Sequence, residues 1–246
     1  MELTILQWNI WYMEDVAKVV AFLKAHPADV VCLQEMTIGF AKQAVRHVPD
    51  YIAHELGYES HYHESPIESP DGVKVVFVNG IFSRFEMVER RFAWINQPKQ
   101  GGGYGDEYRV YVEATLAVGE GSLSAGTTHM SYTHRLADTS AKQAETERLV
   151  AELRRRPRRQ VFTGDLNAVP GSATIRAIER VMRSAGPDYA HKTWTTKPFS
   201  YHGFEARELN WRLDYVFATP DIEVIEAKVL ATDLSDHLPV LVTVRV

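Results

Sequence analysis

The sequence predicts a layered α+β sandwich. Three observations lead there: apolar runs of strand length alternate with a few stretches of helical periodicity, the runs between residues 73 and 130 are divided by turn formers and read as antiparallel pairings, and polar residues recur at the ends of the apolar runs. Two sheets buried on their inner faces and covered outside by helices would gather those polar ends at one rim.

Taken in order, residues 3–9 read as a strand ending in Asn9, and 14–25 as a helix with Val16, Val19, Val20 and Leu23 on one face. Residues 28–34 form a continuous apolar strand that delivers Glu35 at its carboxyl end, beside Asn9, and 41–55 is a second helix. Strands follow at 73–82, 86–93, 108–118 and 122–130, rich in β-branched and aromatic residues, with Gly119-Glu120-Gly121 as a turn. A helix at 138–155, a strand at 159–164, a helix at 172–185 and strands at 211–218, 222–231 and 239–245 complete the pattern.

The 246 residues are 45% hydrophobic and 24% charged, enough for a sizeable core, and no linker-like composition or internal repeat divides them, so a single domain is expected. Met1 runs directly into Leu3-Thr4-Ile5-Leu6 without a secretory pattern, and no apolar stretch approaches the roughly 20 residues that span a bilayer. A cytoplasmic protein without membrane insertion is the expectation. Cys32, the single cysteine, excludes an internal disulfide and a thiolate metal cage, and its apolar surroundings make it a buried core thiol. A net charge of -5 speaks against avid, sequence-independent nucleic-acid binding without excluding a nuclease, whose catalytic ions bring positive charge of their own. No heptad or unpartnered amphipathic helix is evident, and a monomer is expected.

The chemistry resides in four short segments: Gln7-Trp8-Asn9, Leu33-Gln34-Glu35, Gly164-Asp165-Leu166-Asn167 and Ser235-Asp236-His237. Their amide and carboxylate oxygens are hard ligands suited to Mg²⁺, with Mn²⁺ as a substitute. Singly, each has a plainer reading: Gly-Asp-Leu-Asn is common turn composition and Ser-Asp-His caps strands. Together they point to metal-assisted phosphate chemistry.

With Asn79-Gly80-Ile81-Phe82-Ser83-Arg84, Thr128-His129-Met130 and Arg212-Leu213-Asp214-Tyr215 added, seven segments occur in the order found in the endonuclease/exonuclease/phosphatase superfamily, which the chain resembles over nearly its whole length. That resemblance implies a four-layer αββα sandwich and Mg²⁺-dependent cleavage of a phosphate ester. It implies Glu35 as principal metal carboxylate with Asn9 beside it, and Asp236 as a further metal-site carboxylate. Asp165 would orient or deprotonate water, and Asn167 would hold the phosphate or that water. His237, polarised by Asp214, and His129 would contact the phosphate. The chemistry asks for the same set: a phosphodiester repels nucleophiles, so a cation and hydrogen-bond donors must offset its charge while a carboxylate assists proton loss from water. An imidazolium at His237 requires a carboxylate partner, a part open to Asp214.

Subfamily features narrow the substrate slightly. Thr127-Thr128-His129-Met130 stands where apurinic endonucleases have tyrosine, proline and asparagine, and Ala168-Val169-Pro170 and Trp211-Arg212-Leu213-Asp214 depart from inositol 5-phosphatases. The Thr-His-Met form is similar to the sphingomyelinase, deadenylase and tyrosyl-DNA phosphodiesterase branches. The expected substrate is a phosphate ester, DNA or RNA among the possibilities. Between His191 and Trp211 lie Trp194, Phe199, Tyr201, His202 and Phe204; Trp194, Tyr201 and Trp211 are candidate substrate-binding rings, though such rings also pack beneath loops. Arg154-Arg155-Arg156-Pro157-Arg158-Arg159 reads as a solvated helix end, His61 and His63 as surface residues, and Gly101-Gly102-Gly103 as a loop rather than a phosphate cradle.

Overall fold

The computed structural model describes residues 1–68, 74–97 and 107–246. Gly101-Gly102-Gly103 and the first residue of the predicted strand 73–82 lie outside the described residues. The chain opens with β1 (Glu2–Asn9), α1 (Val16–Ala25), β2 (Val30–Ile38), α2 (Val48–Leu56), β3 (Glu59–Glu68) and β4 (Lys74–Ser83). It continues with β5 (Met87–Asn96), β6 (Arg109–Val118), β7 (Gly121–His129), α3 (Ser140–Leu153), β8 (Gln160–Asp165) and α4 (Ala173–Glu179). The last elements are β9 (Arg183–Ser184), β10 (Phe199–Tyr201), β11 (Phe204–Ala206), β12 (Asp214–Ala218), β13 (Glu223–Val229) and β14 (Val240–Arg245).

Two six-stranded sheets result, ordered β13-β14-β1-β2-β4-β3 and β5-β6-β7-β8-β12-β9, with β10 and β11 forming a separate hairpin. The pairs β1–β2 and β7–β8 are parallel, one in each sheet. Alternation along the strands explains the layers. Leu3 and Ile5 of β1 meet Val110, Val112, Leu123 and Val161 of the other sheet in a core between the sheets. Leu6 and Trp8 point outward against Val16, Val19, Val20 and Leu23 of α1 and Ile52 of α2. On the opposite outer face Leu149, Leu153, Ile175 and Ile178 of α3 and α4 cover Tyr111, Phe162 and Phe217. The architecture is the expected αββα sandwich.

Local chemistry sets the helix boundaries. Asp15, Thr139 and Ser172 cap α1, α3 and α4 by accepting from backbone N–H groups of the first turn. The predicted helix 41–55 begins only at Val48, with Pro49 in its first turn and Gly57 ending it at φ 67°. The predicted helix 172–185 stops at Glu179 because Arg183 and Ser184 pair instead with Ala218 and Phe217. Strand β3 was not expected; it is the outermost strand of its sheet and lacks the apolar alternation of its neighbours.

The most consequential difference lies in β2. It does not end at Gln34 but continues to Ile38, and its pairing with β4 shifts between Leu33 and Met36. Glu35 therefore sits in a β-bulge with φ 59°, a left-handed conformation that turns its side chain out of the strand's alternation. Gly80 lies opposite, where a Cβ would come within 2.9 Å of Met36 Cε and 2.8 Å of Tyr62 Cβ.

Candidate active site

Strand ends from both sheets meet at one rim. Asn9 closes β1, and its register with Gln34 sets it beside Glu35. His129 closes β7 opposite Asp165, which closes β8, and Asp214 opens β12 opposite the same Asp165. The Ser235–His237 loop is fastened to this rim: Ser235 Oγ donates to Asn9 O (2.7 Å), His237 N–H donates to Ser235 Oγ (3.0 Å), and Trp8 Nε1 donates to His237 O (2.9 Å). Eight of the expected residues, Asn9, Glu35, His129, Asp165, Asn167, Asp214, Asp236 and His237, thus converge through direct bonds and close approaches.

Asn9 Nδ2 donates to Glu35 Oε1 and to Asp165 Oδ2, both at 3.0 Å, while its Oδ1 accepts from Trp11 N–H. In this orientation Asn9 aligns two carboxylates rather than offering them a competing oxygen. Asp165 Oδ1 accepts the backbone N–H of Asn167 at 3.0 Å, and Oδ2 lies 3.4 Å from His129 Nε2 and 3.5 Å from His237 Nε2. Asp214 Oδ2 is 2.8 Å from His237 Nδ1. His237 Nε2 lies 4.0 Å from Asp236 Oδ2.

The two histidines are driven in opposite directions. Burial, aided by the positive charge of Arg109, lowers His129 to about 3, so its imidazole is neutral. Asn167 Nδ2 approaches His129 Nε2 at 3.1 Å and donates also to Met130 O, which makes Nε2 the acceptor and leaves the proton on Nδ1. Burial also disfavours charge on His237, but Asp214, Asp165 and Asp236 together outweigh it and hold the imidazolium well above its ordinary range. One ring is a neutral donor at Nδ1 and the other a charged donor at Nε2.

Burial and the neighbouring Asp236 push Glu35 up to about 7. A carboxylate disfavoured by desolvation and by a like charge is one that a divalent cation would stabilise, and its donors are hard oxygens, so the residues fit such an ion. Asp165, Asp214 and His237 bring ligand atoms within 4.8 Å of one another, but both Asp214 oxygens are occupied, Oδ2 by His237 Nδ1 and Oδ1 by Gln7 Nε2. The carboxylates with access to the rim are Glu35 and Asp236, whose side chains are 17% and 18% exposed, and these would hold the ion, next to Asp165.

The aromatic candidates separate. Trp194 is 5% exposed and donates its indole N–H to Asp236 Oδ2 at 3.1 Å, so it supports a carboxylate and is not open to a substrate. Phe199 packs on Trp194 and Tyr132 on Phe199; Tyr201 stands beyond them, half-buried, with its ring centroid 5.9 Å from that of Tyr132. Trp211 is half-buried against Phe204. His61 and His63 are not simple surface groups: His61 Nε2 lies 2.9 Å from Arg91 O, and His63 packs on Phe92 and Trp94. Cys32 is a core thiol pushed up to about 12 by burial.

Several supporting residues were not anticipated. Gln7 Nε2 donates to Gln34 Oε1 (2.7 Å) and, across the sheet interface, to Asp214 Oδ1 (3.2 Å); Gln34 Nε2 returns a bond to Gln7 Oε1 (2.9 Å) and crosses to Thr127 Oγ1 (2.8 Å). The signal was present, since a glutamine interrupts each of two adjacent apolar strands. Lys142 of α3 is 2% exposed and donates to Ser131 O (2.6 Å) and Leu166 O (2.7 Å), tying together the segments after His129 and Asp165. A lysine in the first turn of an amphipathic helix gives no sequence sign of such burial.

A two-sheet sandwich with this carboxylate and histidine cluster at its rim defines a hydrolytic phosphoesterase. The sequence model of the Endonuclease/Exonuclease/phosphatase family matches residues 6–237, and the chain belongs to that family, whose members generally depend on divalent metals. An endonuclease/exonuclease/phosphatase from Beutenbergia cavernae is similar in structure with a TM-score of 0.80 and 23% identity, over 99% of this chain and 71% of that one. A mannosyl-6-phosphatase from Bacteroides thetaiotaomicron gives 0.69 and 15% identity over 99% and 100% of the two chains. D. rerio TDP2 complexed with a single-strand DNA product gives 0.69 and 17% over 100% and 99%. No curated protein matches the chain in sequence. No helix among the described residues is long and apolar enough to cross a membrane.

Proposed function

We propose that the chain is a Mg²⁺-dependent phosphodiesterase that hydrolyses a nucleic-acid end or a small or lipid phosphodiester with water as nucleophile. The observation that carries this reading is the convergence of Glu35, Asp165 and Asp236 on two histidines held in opposite protonation states. When bound, a divalent cation offsets charge on the phosphoryl oxygens and favours ionisation of water. Glu35 and Asp236 would hold it, with Asn9 fixing Glu35 against Asp165.

Asp165, aligned by Asn9 and by the N–H of Asn167, orients the attacking water and takes its proton. His237 donates from Nε2 to a non-bridging oxygen as negative charge accumulates, and Asp214 keeps that ring charged and correctly turned. His129 donates from Nδ1 on the opposite side, its tautomer set by Asn167. Tyr201 and Trp211 would meet the substrate's non-reacting portion. The DNA product in the TDP2 relative favours a diester; the mannosyl-6-phosphatase relative supports a second reading, a monoesterase on a soluble phosphorylated metabolite.

The deciding experiment is cleavage of end-labelled single-stranded and duplex DNA with and without Mg²⁺, with Asp165→Ala and His237→Ala alongside. Metal-dependent cleavage that falls by about 10²–10³-fold in each variant supports the proposal. Full activity in either variant overturns the site assignment, and phosphate release from sugar monophosphates without diester cleavage establishes the second reading.

A further inference from the structure

At the rim opposite the active site the structure holds an arginine-lined cavity of about 470 Å³. Strands β7 and β8 run from one rim to the other: β7 carries Ser122 and Ser124 near its start and His129 at its end, while Arg158 and Arg159 precede β8 and Asp165 ends it. About five residues of extended strand separate the two places, roughly 16 Å.

The arginine run after α3 is not a solvated helix end throughout. Arg156 reaches back to Glu113 Oε1 (3.3 Å) and to Glu89. Arg159 takes φ 50°, its Nε donates to Ser122 O (2.6 Å), and its guanidinium lies against Gly121, where a Cβ would stand 3.3 Å from Nη2. Arg158 is 81% exposed, and its Nε lies 3.8 Å from Asp221. Two lining residues bear carboxylates, and both are engaged: Asp221 Oδ2 accepts from the backbone N–H of Arg159 (3.1 Å), and the C-terminal Val246 accepts at its O from the Met1 ammonium (2.9 Å).

Ser124 is the telling residue. Leu123 and Ala125 point into the core between the sheets, so Ser124 points the other way, to the face where Arg156 and Arg159 lie. It is 5% exposed, and its Oγ is a buried hydroxyl with no hydrogen-bond partner. A buried hydroxyl without a partner is costly, and this one lines a cavity beside guanidinium groups that carry unused donors.

We propose that this cavity is a second anion site that binds a phosphate or diphosphate group of a small soluble molecule. Ser124 Oγ and the guanidinium groups of Arg158 and Arg159 donate to its oxygens, in the fork geometry that suits phosphate. The volume exceeds that of one phosphate and accommodates a diphosphate.

The test uses the full chain freed of divalent metal and inorganic diphosphate as the probe, followed by calorimetric titration and by thermal unfolding against sodium chloride of matched ionic strength. Wild type and the active-site variant His129→Gln are expected to bind and to gain thermal stability alike. Ser124→Ala, which removes only an unpartnered hydroxyl, and Arg158→Ala, which alters an exposed side chain, should each remain folded and together weaken binding at least tenfold. Absence of binding to wild type overturns the proposal. So does unchanged affinity in the Ser124→Ala/Arg158→Ala variant, or loss of binding in His129→Gln.

Discussion

At the scale of single residues, the groups around the reacting centre matter as much as those expected to touch substrate. Trp194 holds Asp236 through one N–H donated to Oδ2. Trp194→Phe keeps most of the ring volume and removes that donor, so Mg²⁺ affinity measured by calorimetry should fall about tenfold, as is usual for groups that orient ligands. Trp211→Phe, which alters a ring packed on Phe204 and keeps the backbone pairing with Trp194, should leave it unchanged. Lys142 offers a pH-dependent test. Burial lowers its ammonium to about 8, so between that value and the ordinary lysine range near 10.5 the unfolded chain binds the proton that the folded chain has lost. The penalty of a buried charge is complete below pH 8 and relieved as pH rises. Denaturant unfolding should therefore show wild type gaining on Lys142→Met by about 1–3 kcal/mol between pH 7.5 and 9.5. A gap independent of pH would mean that the ammonium is not held as described.

At the scale of elements, register delivers the chemistry. His129 and Asp165 are partners at the end of the parallel β7–β8 ladder, and Gly164, one residue earlier, lies so close to β7 that a Cβ would be 2.4 Å from Thr128 O. Gly164→Ala should force these strands apart, cost about 2–3 kcal/mol in thermal or denaturant unfolding, and reduce turnover in protein that remains folded. The elements that the sequence revealed are those with strong local signals: the apolar runs of β1, β2 and β8, the one-sided periodicity of α1, and the polar residues that follow them. What escaped depends on partners distant in sequence. Nothing near Glu35 announces the bulge that aims it, since the shift exists only relative to β4. β3 carries a weak pattern because it has a neighbour on one side only, and the β10–β11 hairpin is too short for any period. Pro49 was a readable mark for the start of α2, as proline favours a helix's first turn. Glutamine interruptions at Gln7 and Gln34 were visible too, but their cross-sheet partners Asp214 and Thr127 were not.

At the scale of the whole molecule, the candidate site belongs to neither sheet alone. Asn9 and Glu35 come from one sheet, and His129, Asp165 and Asp214 come from the other, so face-to-face packing creates the constellation and concentrates negative charge at its rim. Without a cation, burial first and the neighbouring Asp236 second disfavour the charge on Glu35. Selection for a binding site tolerates such a local loss of stability. Two opposite consequences follow for Glu35→Gln, which keeps shape and removes a charge. In metal-free protein near pH 8 the variant should unfold at a higher temperature than wild type, because the buried charge and its repulsion from Asp236 are gone. On addition of Mg²⁺ wild type should gain stability by mass action, about 2.7 kcal/mol at a hundredfold excess over Kd, while the variant gains little. The order of the two melting temperatures should therefore cross as Mg²⁺ is raised in thermal unfolding. A wild type that melts above the variant even without metal would show that Glu35 is stabilised by its protein neighbours and is not held ready for a cation.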